Sequence, residues 1–308
     1  MMVEKIPDFL VRDWIKEPLD KKIERSKIRI KQFYDHLDGQ VHISTSGGKD
    51  STVLTHLVRL LYPETKAVNV AVPMYPETRT FLKTVDNLEI LIPKRTYQEV
   101  VERWGYPVIS KEVSVALSRY RGGDDDVKRY RKYGIKKDGT RGQLGVIPKK
   151  WWFMIDAPFK ISDACCDQLK KKPLVKYEKK SGTKPYMGIL ATESHRRMRK
   201  FRQNGCNTFV EGKEKSMPLS AWTEKDIWDY IKLNELPYSP VYDMGEIRTG
   251  CLGCLFGCHM EKEPNRFQRL YHTHPKIYKY YVDTLGLDEV MDYMRIPYIP
   301  LGKLDDYL

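Results

Sequence analysis

The sequence predicts an α/β protein with a doubly wound, mainly parallel sheet. Two observations support this. Short apolar runs alternate with amphipathic segments over residues 41–92, and a glycine-rich turn, residues 46–51, follows the first run directly. Strand–helix–strand alternation places helices on both faces of a parallel sheet. Ligands of such sheets bind at the carboxyl ends of the strands, so the turn marks the expected ligand site.

Each element follows from its local pattern. Residues 1–40 have helical apolar spacing, and a second amphipathic helix covers residues 53–61. Strands are predicted where apolar residues are consecutive, at residues 41–44, 67–72, 87–92 and 185–190. Another helix begins near Pro76, and the last forty residues are expected to be largely helical. Thr223 with Asp226 three residues on predicts the start of a helix over residues 223–232.

These elements suggest three domains. Residues 1–40 form an N-terminal helical segment, residues 41–260 the main domain, and residues 261–308 a C-terminal helical extension. Residues 122–150 are rich in Gly, Asp, Lys, Arg and Tyr, so they interrupt the main domain as a basic insertion. This insertion is either a lid over an anionic ligand or a solvated loop.

Positive charge is concentrated in the middle of the chain. The net charge is +13, while residues 119–150 carry 11 Lys/Arg against 4 Asp/Glu and residues 169–202 carry 12 against 2. This distribution suits a polyanionic partner such as a nucleotide or nucleic acid, or else a lysine-rich solvated surface. Tyr and Trp residues interleave with the charges and either stack on bases or pack in the core.

The sequence also bears on location and on cysteine chemistry. No apolar run reaches the ~20 residues of a membrane span, and the first residues do not read as a secretion signal. We therefore expect a cytoplasmic protein whose six cysteines are thiols or metal ligands and not disulfides.

The turn has the composition of a phosphate-binding loop. Gly47 and Gly48 let backbone N–H groups approach phosphate oxygens at the start of a helix. Lys49 neutralises phosphate charge, and Ser46 and Ser51 supply hydroxyls. Asp50 repels phosphate, so it is expected to act through Mg²⁺ or as a helix cap.

Ser46 to Ser51 resembles the PP-loop of ATP pyrophosphatases, and further motifs narrow the resemblance to the phosphoadenosine phosphosulfate (PAPS) reductase-like family. These are Tyr75–Thr78, residues 188–197 and Pro218–Trp228. The resemblance implies an adenine nucleotide alpha hydrolase-like fold and ATP with Mg²⁺ as cofactors. It implies Lys49 and Asp50 as catalytic residues, and a nucleotide site made of residues 46–51, Glu193, Ser194 and Arg197.

The cysteine pattern extends the resemblance. Cys165 and Cys166 are adjacent and precede the Cys251-x-x-Cys254 pair, as in iron–sulfur sulfonucleotide reductases, so the resemblance implies a [4Fe-4S] cluster. Four thiolates also suit zinc, and buried free thiols are a third interpretation. Cys258 is an additional ligand, a reactive thiol or a core residue, and Cys206 is structural or catalytic.

The sequence departs from the reductase pattern in three places. It has no cysteine after Cys258, where the reductases carry their nucleophile, and it keeps the complete Ser-Gly-Gly-Lys-Asp-Ser loop. Both departures favour ATP over a sulfonucleotide. Residues 70–73 lack the acidic residue that many relatives carry there, which weakens the case for a metal at that strand end.

The sequence therefore predicts an ATP-dependent adenylyl- or sulfur-transfer enzyme that cleaves ATP to AMP and pyrophosphate. Its expected partners are an adenine nucleotide, nucleic acid as acceptor, and a sulfur-donor protein. Two alternatives remain: an adenylyl- or phosphoadenylyl-sulfate reductase using Cys258 or Cys206, and a non-catalytic binding protein on a nucleotide fold.

Overall fold

A computed structural model describes residues 5–300. Its strands are β1 Val41–Ser44, β2 Ala67–Val70, β3 Leu88–Leu91, β4 Val108–Ile109, β5 Lys184–Met187, β6 Asn207–Thr208, β7 Lys215–Ser216 and β8 Leu255–Phe256. Its α-helices are α1 Asp8–Lys16, α2 Leu19–His36, α3 Lys49–Leu61, α4 Pro76–Leu82, α5 Tyr97–Trp104, α6 Lys111–Gly122, α7 Asp125–Tyr133, α8 Ala164–Cys166, α9 Lys172–Ser181, α10 His195–Asn204, α11 Glu224–Leu233, α12 Arg266–Thr273, α13 Pro275–Lys279 and α14 Leu287–Met294.

The chain folds into two compact units, each built from separate segments. Unit one contains the residues up to 71 together with 75–92 and 174–242. Unit two contains residues 72–74, 93–173 and those from 243 onwards. The domain boundaries at residues 40/41 and 260/261 stay a prediction, since this division follows compactness alone.

Unit one is built around a six-stranded sheet with the order β3-β2-β1-β5-β7-β6. Every neighbouring pair is parallel except β6 and β7, which confirms the predicted fold class. The chain leaves β1 through α3 to β2 on one side, while β5 pairs with β1 on the other. The carboxyl end of β1 is therefore a switch point, where doubly wound sheets bind their ligands.

The core of unit one forms from apolar faces that the sequence pattern already indicates. Ile30 and Phe33 of α2, Leu54 and Leu57 of α3, and Trp222 are fully buried against the sheet. The predicted capping box of α11 is present, because Thr223 accepts from the Asp226 N–H while the Asp226 carboxylate accepts from Thr223. These contacts fix the start of α11.

Unit two is mostly helical and has a small sheet. Strands β4 and β8 pair in parallel, and α12, α13 and α14 confirm the helical character of the last forty residues as far as residue 300. Residues 301–308, which end the predicted extension, lie outside the described residues. No helix within residues 5–300 is long and apolar enough to cross a membrane.

The predicted basic insertion contains an ordered helix. Helix α7 has no buried residue, and the loop after it is fastened to α7 by backbone hydrogen bonds from Gly142 to Gly134 and from Ile147 to Arg131. The insertion is therefore exposed, as expected from its composition, and it is held to a defined helix.

Candidate nucleotide and cysteine sites

The predicted phosphate-binding loop, residues 46–51, lies at the carboxyl end of β1 and runs into α3. Gly47 has a φ of +74°, and a Cβ there would approach Thr78 Cγ2 to 2.8 Å, so both the conformation and the packing require glycine. The Ser51 hydroxyl donates to the Gly48 carbonyl at 2.8 Å and accepts from the Ser46 N–H. Ser51 thus organises the loop from inside.

Lys49 is held by three side chains of the same unit. Its Nζ lies 3.1 Å from Glu224 Oε1, 5.2 Å from the centre of the Tyr242 ring and 5.9 Å from that of Trp228. Its backbone N–H donates to the Tyr242 hydroxyl at 2.9 Å. Lys49 is buried, whereas the Glu224 side chain is 64 % exposed. The buried ammonium is therefore paired with a carboxylate whose side chain is largely exposed to solvent.

Asp50 is the buried acid of the loop. Its Oδ1 is buried and has no hydrogen-bond partner within residues 5–300. Burial raises its pKa, and the negative charge of Glu224 adds to this, while Lys49 and Arg197 oppose it. A buried carboxylate oxygen without a donor is a favourable ligand for a cation.

The second predicted nucleotide motif lies close to the loop. The charge of Arg197 acts on Asp50, and Arg197 forms an ion pair with Glu193. Ser194 accepts from the Arg197 N–H and so caps α10. The structure thus places Arg197 near Asp50 with Glu193 attached to it, and it uses the Ser194 hydroxyl in the helix cap.

The structure adds residues to this site that the sequence analysis quoted without assigning a role. A Cβ on Gly188, just after β5, would lie 3.0 Å from the backbone of Asp50, so glycine allows β5 to pass the start of α3. The Asn69 amide donates to the Thr45 carbonyl at 2.8 Å. A glycine inside the predicted strand 185–190 was the available signal for the first. Glu224 lies in the quoted Pro218–Trp228 motif, but nothing in the local sequence pointed to its contact with Lys49, and Tyr242 had no signal at all.

Four of the predicted cysteine ligands come together in unit two. The charges of Cys166, Cys251 and Cys254 all act on Cys165. A hydrogen bond between the adjacent thiols raises the pKa of Cys165 and lowers that of Cys166. Lys170 hydrogen-bonds to Cys251, whose charge raises the lysine pKa. The group is therefore a set of four thiols next to a cation.

The Cys251-x-x-Cys254 turn is anchored on several sides. Tyr97 donates to the Gly253 carbonyl at 2.6 Å, and Arg266 donates to the Cys254 carbonyl at 2.8 Å. Gly253 has a φ of +74°, and a Cβ there would lie 2.6 Å from the Tyr281 ring. The turn is thus preorganised by residues of its own unit.

The other two cysteines have different surroundings. Cys258 is fully buried after the turn, and burial raises its pKa to about 12. Cys206 lies in unit one, in a small core with Val11 and Phe201, and burial raises its pKa to about 11. Both are poor nucleophiles at neutral pH, because the thiolate is the reactive form.

Four cysteine thiols are a donor set that suits an iron–sulfur cluster or a zinc ion. Four cysteines are the usual ligands of [4Fe-4S] clusters. Four thiolates also suit zinc, which takes four ligands at roughly 2.3 Å for sulfur. Within residues 5–300 no group of three or more His, Cys, Asp or Glu is arranged to hold a metal ion, so the side chains would have to adjust to hold either a cluster or zinc.

Comparisons with known proteins agree with the motifs. The phosphoadenosine phosphosulfate reductase domain model matches residues 131–255. An uncharacterized protein of Methanocaldococcus jannaschii is 25% identical over 93% of this chain, and the chain covers 58% of that relative. Adenosine 5'-phosphosulfate reductase of Lysinibacillus sphaericus is 38% identical over 91 residues, which are 29% of this chain and 37% of the reductase.

Two solved structures are also similar. The PAPS reductase of Candida auris has a TM-score of 0.42 and 15% identity over 69% of this chain and 81% of its own. The tRNA thiolase NcsA of Methanococcus maripaludis with its [4Fe-4S] cluster has a TM-score of 0.36 and 12% identity, over 94% of this chain and 88% of its own. The matched domain and the reductase relative confirm that the chain resembles the PAPS reductase-like family.

Proposed function

We propose that this protein is an ATP-dependent adenylyl- or sulfur-transfer enzyme that cleaves ATP between the α and β phosphates. The observation that carries the proposal is the complete Ser46–Ser51 loop at the switch point of the sheet. The reductase domain match begins after this loop, at residue 131, so ATP as the nucleotide rests on the loop itself.

Each loop residue has a role in this reaction. The N–H groups of residues 47–49 and the α3 dipole stabilise negative charge on the phosphates. Lys49 supplies a positive charge, and catalysis is largely electrostatic because phosphoryl and adenylyl transfer spread charge over the phosphate oxygens. Asp50 would hold Mg²⁺, which when bound neutralises the pyrophosphate leaving group.

The direct test is pyrophosphate release. We expect Lys49→Ala to abolish pyrophosphate formation from ATP and an acceptor while the fold, checked by circular dichroism, stays intact. Lys31→Ala, which removes an exposed lysine of unit one, is the matched control. Unchanged turnover in Lys49→Ala would refute the assignment of the loop.

Cys165, Cys166, Cys251 and Cys254 would hold a [4Fe-4S] cluster in this proposal. When bound, such a cluster supplies a site for sulfur or a fixed charge. Lys170 and Arg266 then act on the ligands, Lys170 by donating to Cys251 and Arg266 by holding the Cys254 carbonyl. A nucleic acid is the acceptor we favour, in view of the basic middle of the chain.

Metal analysis of anaerobically purified protein tests the cluster. We expect about four iron and about four sulfide per chain, lost in Cys165→Ser and in Cys254→Ser. Cys206→Ser is the control, since Cys206 is buried in unit one. Zinc in place of iron, or iron that is retained in both Cys165→Ser and Cys254→Ser, would contradict a cluster held by these cysteines.

Adenylyl- or phosphoadenylyl-sulfate reduction is the second candidate, favoured by the 38% identity to a reductase over 91 residues. It would need Cys258 or Cys206 as nucleophile, and burial raises the pKa of both thiols. Sulfite release from either sulfonucleotide with a thiol donor decides between the two. A non-catalytic binding role would be favoured if millimolar ATP left the melting temperature unchanged.

A further inference from the structure

A group of lysine and aromatic side chains lies on unit two and shares no residue with the two sites above. We call it the lysine–aromatic surface, and its members come from α7 and the 3₁₀ helix Lys149–Asp156: Lys132, Tyr133, Lys149, Lys150, Trp151, Trp152 and Phe153. Tyr133 is 54% exposed and Phe153 43%, while both tryptophans are half-buried. These rings therefore present their faces or edges at the surface of the unit.

Lysine ammonium groups lie close to the rings. Lys132 Nζ is 5.6 Å from the centre of the Tyr133 ring and 5.1 Å from that of Trp152, and Lys150 Nζ is 5.3 Å from the Trp151 ring. Tyr133 and Trp152 meet edge to face, with centres 5.7 Å apart. Charge and aromatic surface thus alternate over a short distance.

The lysines of this surface lack acidic partners. Residues 128–150 contain nine Lys/Arg and one acid, Asp138. In the part of the chain that the structure describes, Lys132, Lys149 and Lys150 form no ion pair. Their charge therefore faces solvent and complements a polyanion.

The surface is also preorganised. The Trp152 indole donates to the Ile147 carbonyl at 3.0 Å, and the Ile147 N–H donates to the Arg131 carbonyl of α7 at 2.7 Å. Tyr293 of α14 donates to the Phe153 carbonyl at 2.9 Å. These bonds fix the Trp152 ring and the backbone of Phe153, and Tyr133 packs edge to face on Trp152, so the surface loses less conformational entropy when a ligand binds.

We propose that the lysine–aromatic surface binds single-stranded nucleic acid. Unpaired bases stack on the exposed rings of Tyr133 and Phe153, and the neighbouring phosphates lie beside Lys132, Lys149 and Lys150. A duplex keeps its base faces stacked internally, so it would use the lysines and leave the rings without a partner. The proposal concerns binding alone and does not depend on ATP cleavage or on the cysteines.

Fluorescence anisotropy of the full chain tests this, with a labelled oligouridylate of about 12 nucleotides as the probe. We expect the single strand to bind more tightly than a duplex of equal length. Tyr133→Ala should weaken single-strand binding about tenfold, from the loss of one stacked base. The double variant Lys132→Ala with Lys150→Ala should make the slope of log binding constant against log salt concentration less negative by about 1.4.

Two controls match these variants. Tyr280→Ala removes another exposed tyrosine of unit two, 40% exposed, and Lys276→Ala with Lys279→Ala removes two exposed lysines of α13. Phe153→Ala repeats the ring test at a second position if Tyr133→Ala fails to fold. Absence of single-strand binding, equal affinity for the duplex, or equal losses in the controls would each overturn the proposal.

Discussion

At the scale of single residues, the contacts of Lys49 determine how the loop presents its charge. Glu224 neutralises the ammonium at 3.1 Å, and the Tyr242 hydroxyl accepts from the Lys49 N–H. Both the ammonium and this N–H are groups that a phosphate would use. Glu224 is therefore expected to compete with phosphate for Lys49.

Glu224→Gln should strengthen ATP binding about two- to fivefold, a modest factor because exposed ion pairs contribute little. The amide keeps the shape of the side chain and removes its negative charge from the vicinity of the phosphates. Isothermal titration with ATP measures the change. Asp229→Asn, on the same helix and paired with Lys225, should leave the affinity unchanged, and weaker binding in Glu224→Gln would contradict a competing role.

The raised pKa of Asp50 predicts a pH-dependent effect on stability. Because burial raises the folded-state pKa of Asp50 above its unfolded value, ionised Asp50 destabilises the fold at neutral pH, and this cost fades as pH falls through the folded pKa. Asp50→Asn should therefore melt at a higher temperature than the wild type at pH 7.

The difference in melting temperature between Asp50→Asn and the wild type should disappear as the pH approaches about 4, the pKa of Asp50 in the unfolded chain. Thermal melts in metal-free buffers between pH 4 and 7 measure it. Asp35→Asn, at an exposed position of α2, serves as the control. A difference in melting temperature that stays constant over this range would show that the effect of Asp50 on stability does not come from its buried charge.

At the scale of elements, the cysteine turn depends on a conformation that one residue type supplies. The left-handed φ of Gly253 and the nearby Tyr281 ring leave no room for a side chain. The carbonyls of Gly253 and Cys254 are already fixed by Tyr97 and Arg266. A side chain at residue 253 must therefore displace the turn that presents Cys251 and Cys254.

Gly253→Ala should lower the iron content of purified protein by at least half, since the turn must move by several tenths of an ångström. Iron and sulfide analysis measures it, and circular dichroism checks that the fold persists. Gly250→Ala is a close control, because a Cβ at residue 250 meets no atom within 4 Å. Equal iron in the two variants would mean that the turn geometry does not govern cluster retention.

At the scale of the whole molecule, the two sites belong to different compact units. The loop and its partners Glu224 and Tyr242 lie in unit one, whereas Cys165, Cys166, Cys251 and Cys254 lie in unit two. The contacts that shape each site come from its own unit. Nucleotide binding and metal retention should therefore be separable by mutation.

Cys254→Ser is expected to lose iron and to bind ATP with a dissociation constant within about twofold of the wild type. Lys49→Ala should show the reverse, with full iron content and ATP affinity reduced by at least tenfold, as for a lost charge-assisted contact. Iron analysis and ATP titration of the same preparations measure whether the two properties are lost independently. Loss of both properties in either variant would show that the sites depend on one another.

The sequence by itself determined the features that depend on local pattern. Strands β1, β2, β3 and β5 were predicted to within three residues at their ends, because apolar runs and glycine breaks are local signals. The phosphate loop and the Thr223–Asp226 cap were readable for the same reason. The candidate ligands Cys165, Cys166, Cys251 and Cys254 were readable from their spacing.

Only the tertiary structure decided which distant residues meet. Strands β4, β6, β7 and β8 have two residues each, too few for a periodic signal. β4 and β8 exist because they pair across a long stretch of chain, and β6 and β7 because they pair with each other beside β5. Glu224 and Tyr242 come to Lys49 from more than 170 residues away. Two units assembled from alternating segments arise from long-range packing, which local sequence pattern does not encode.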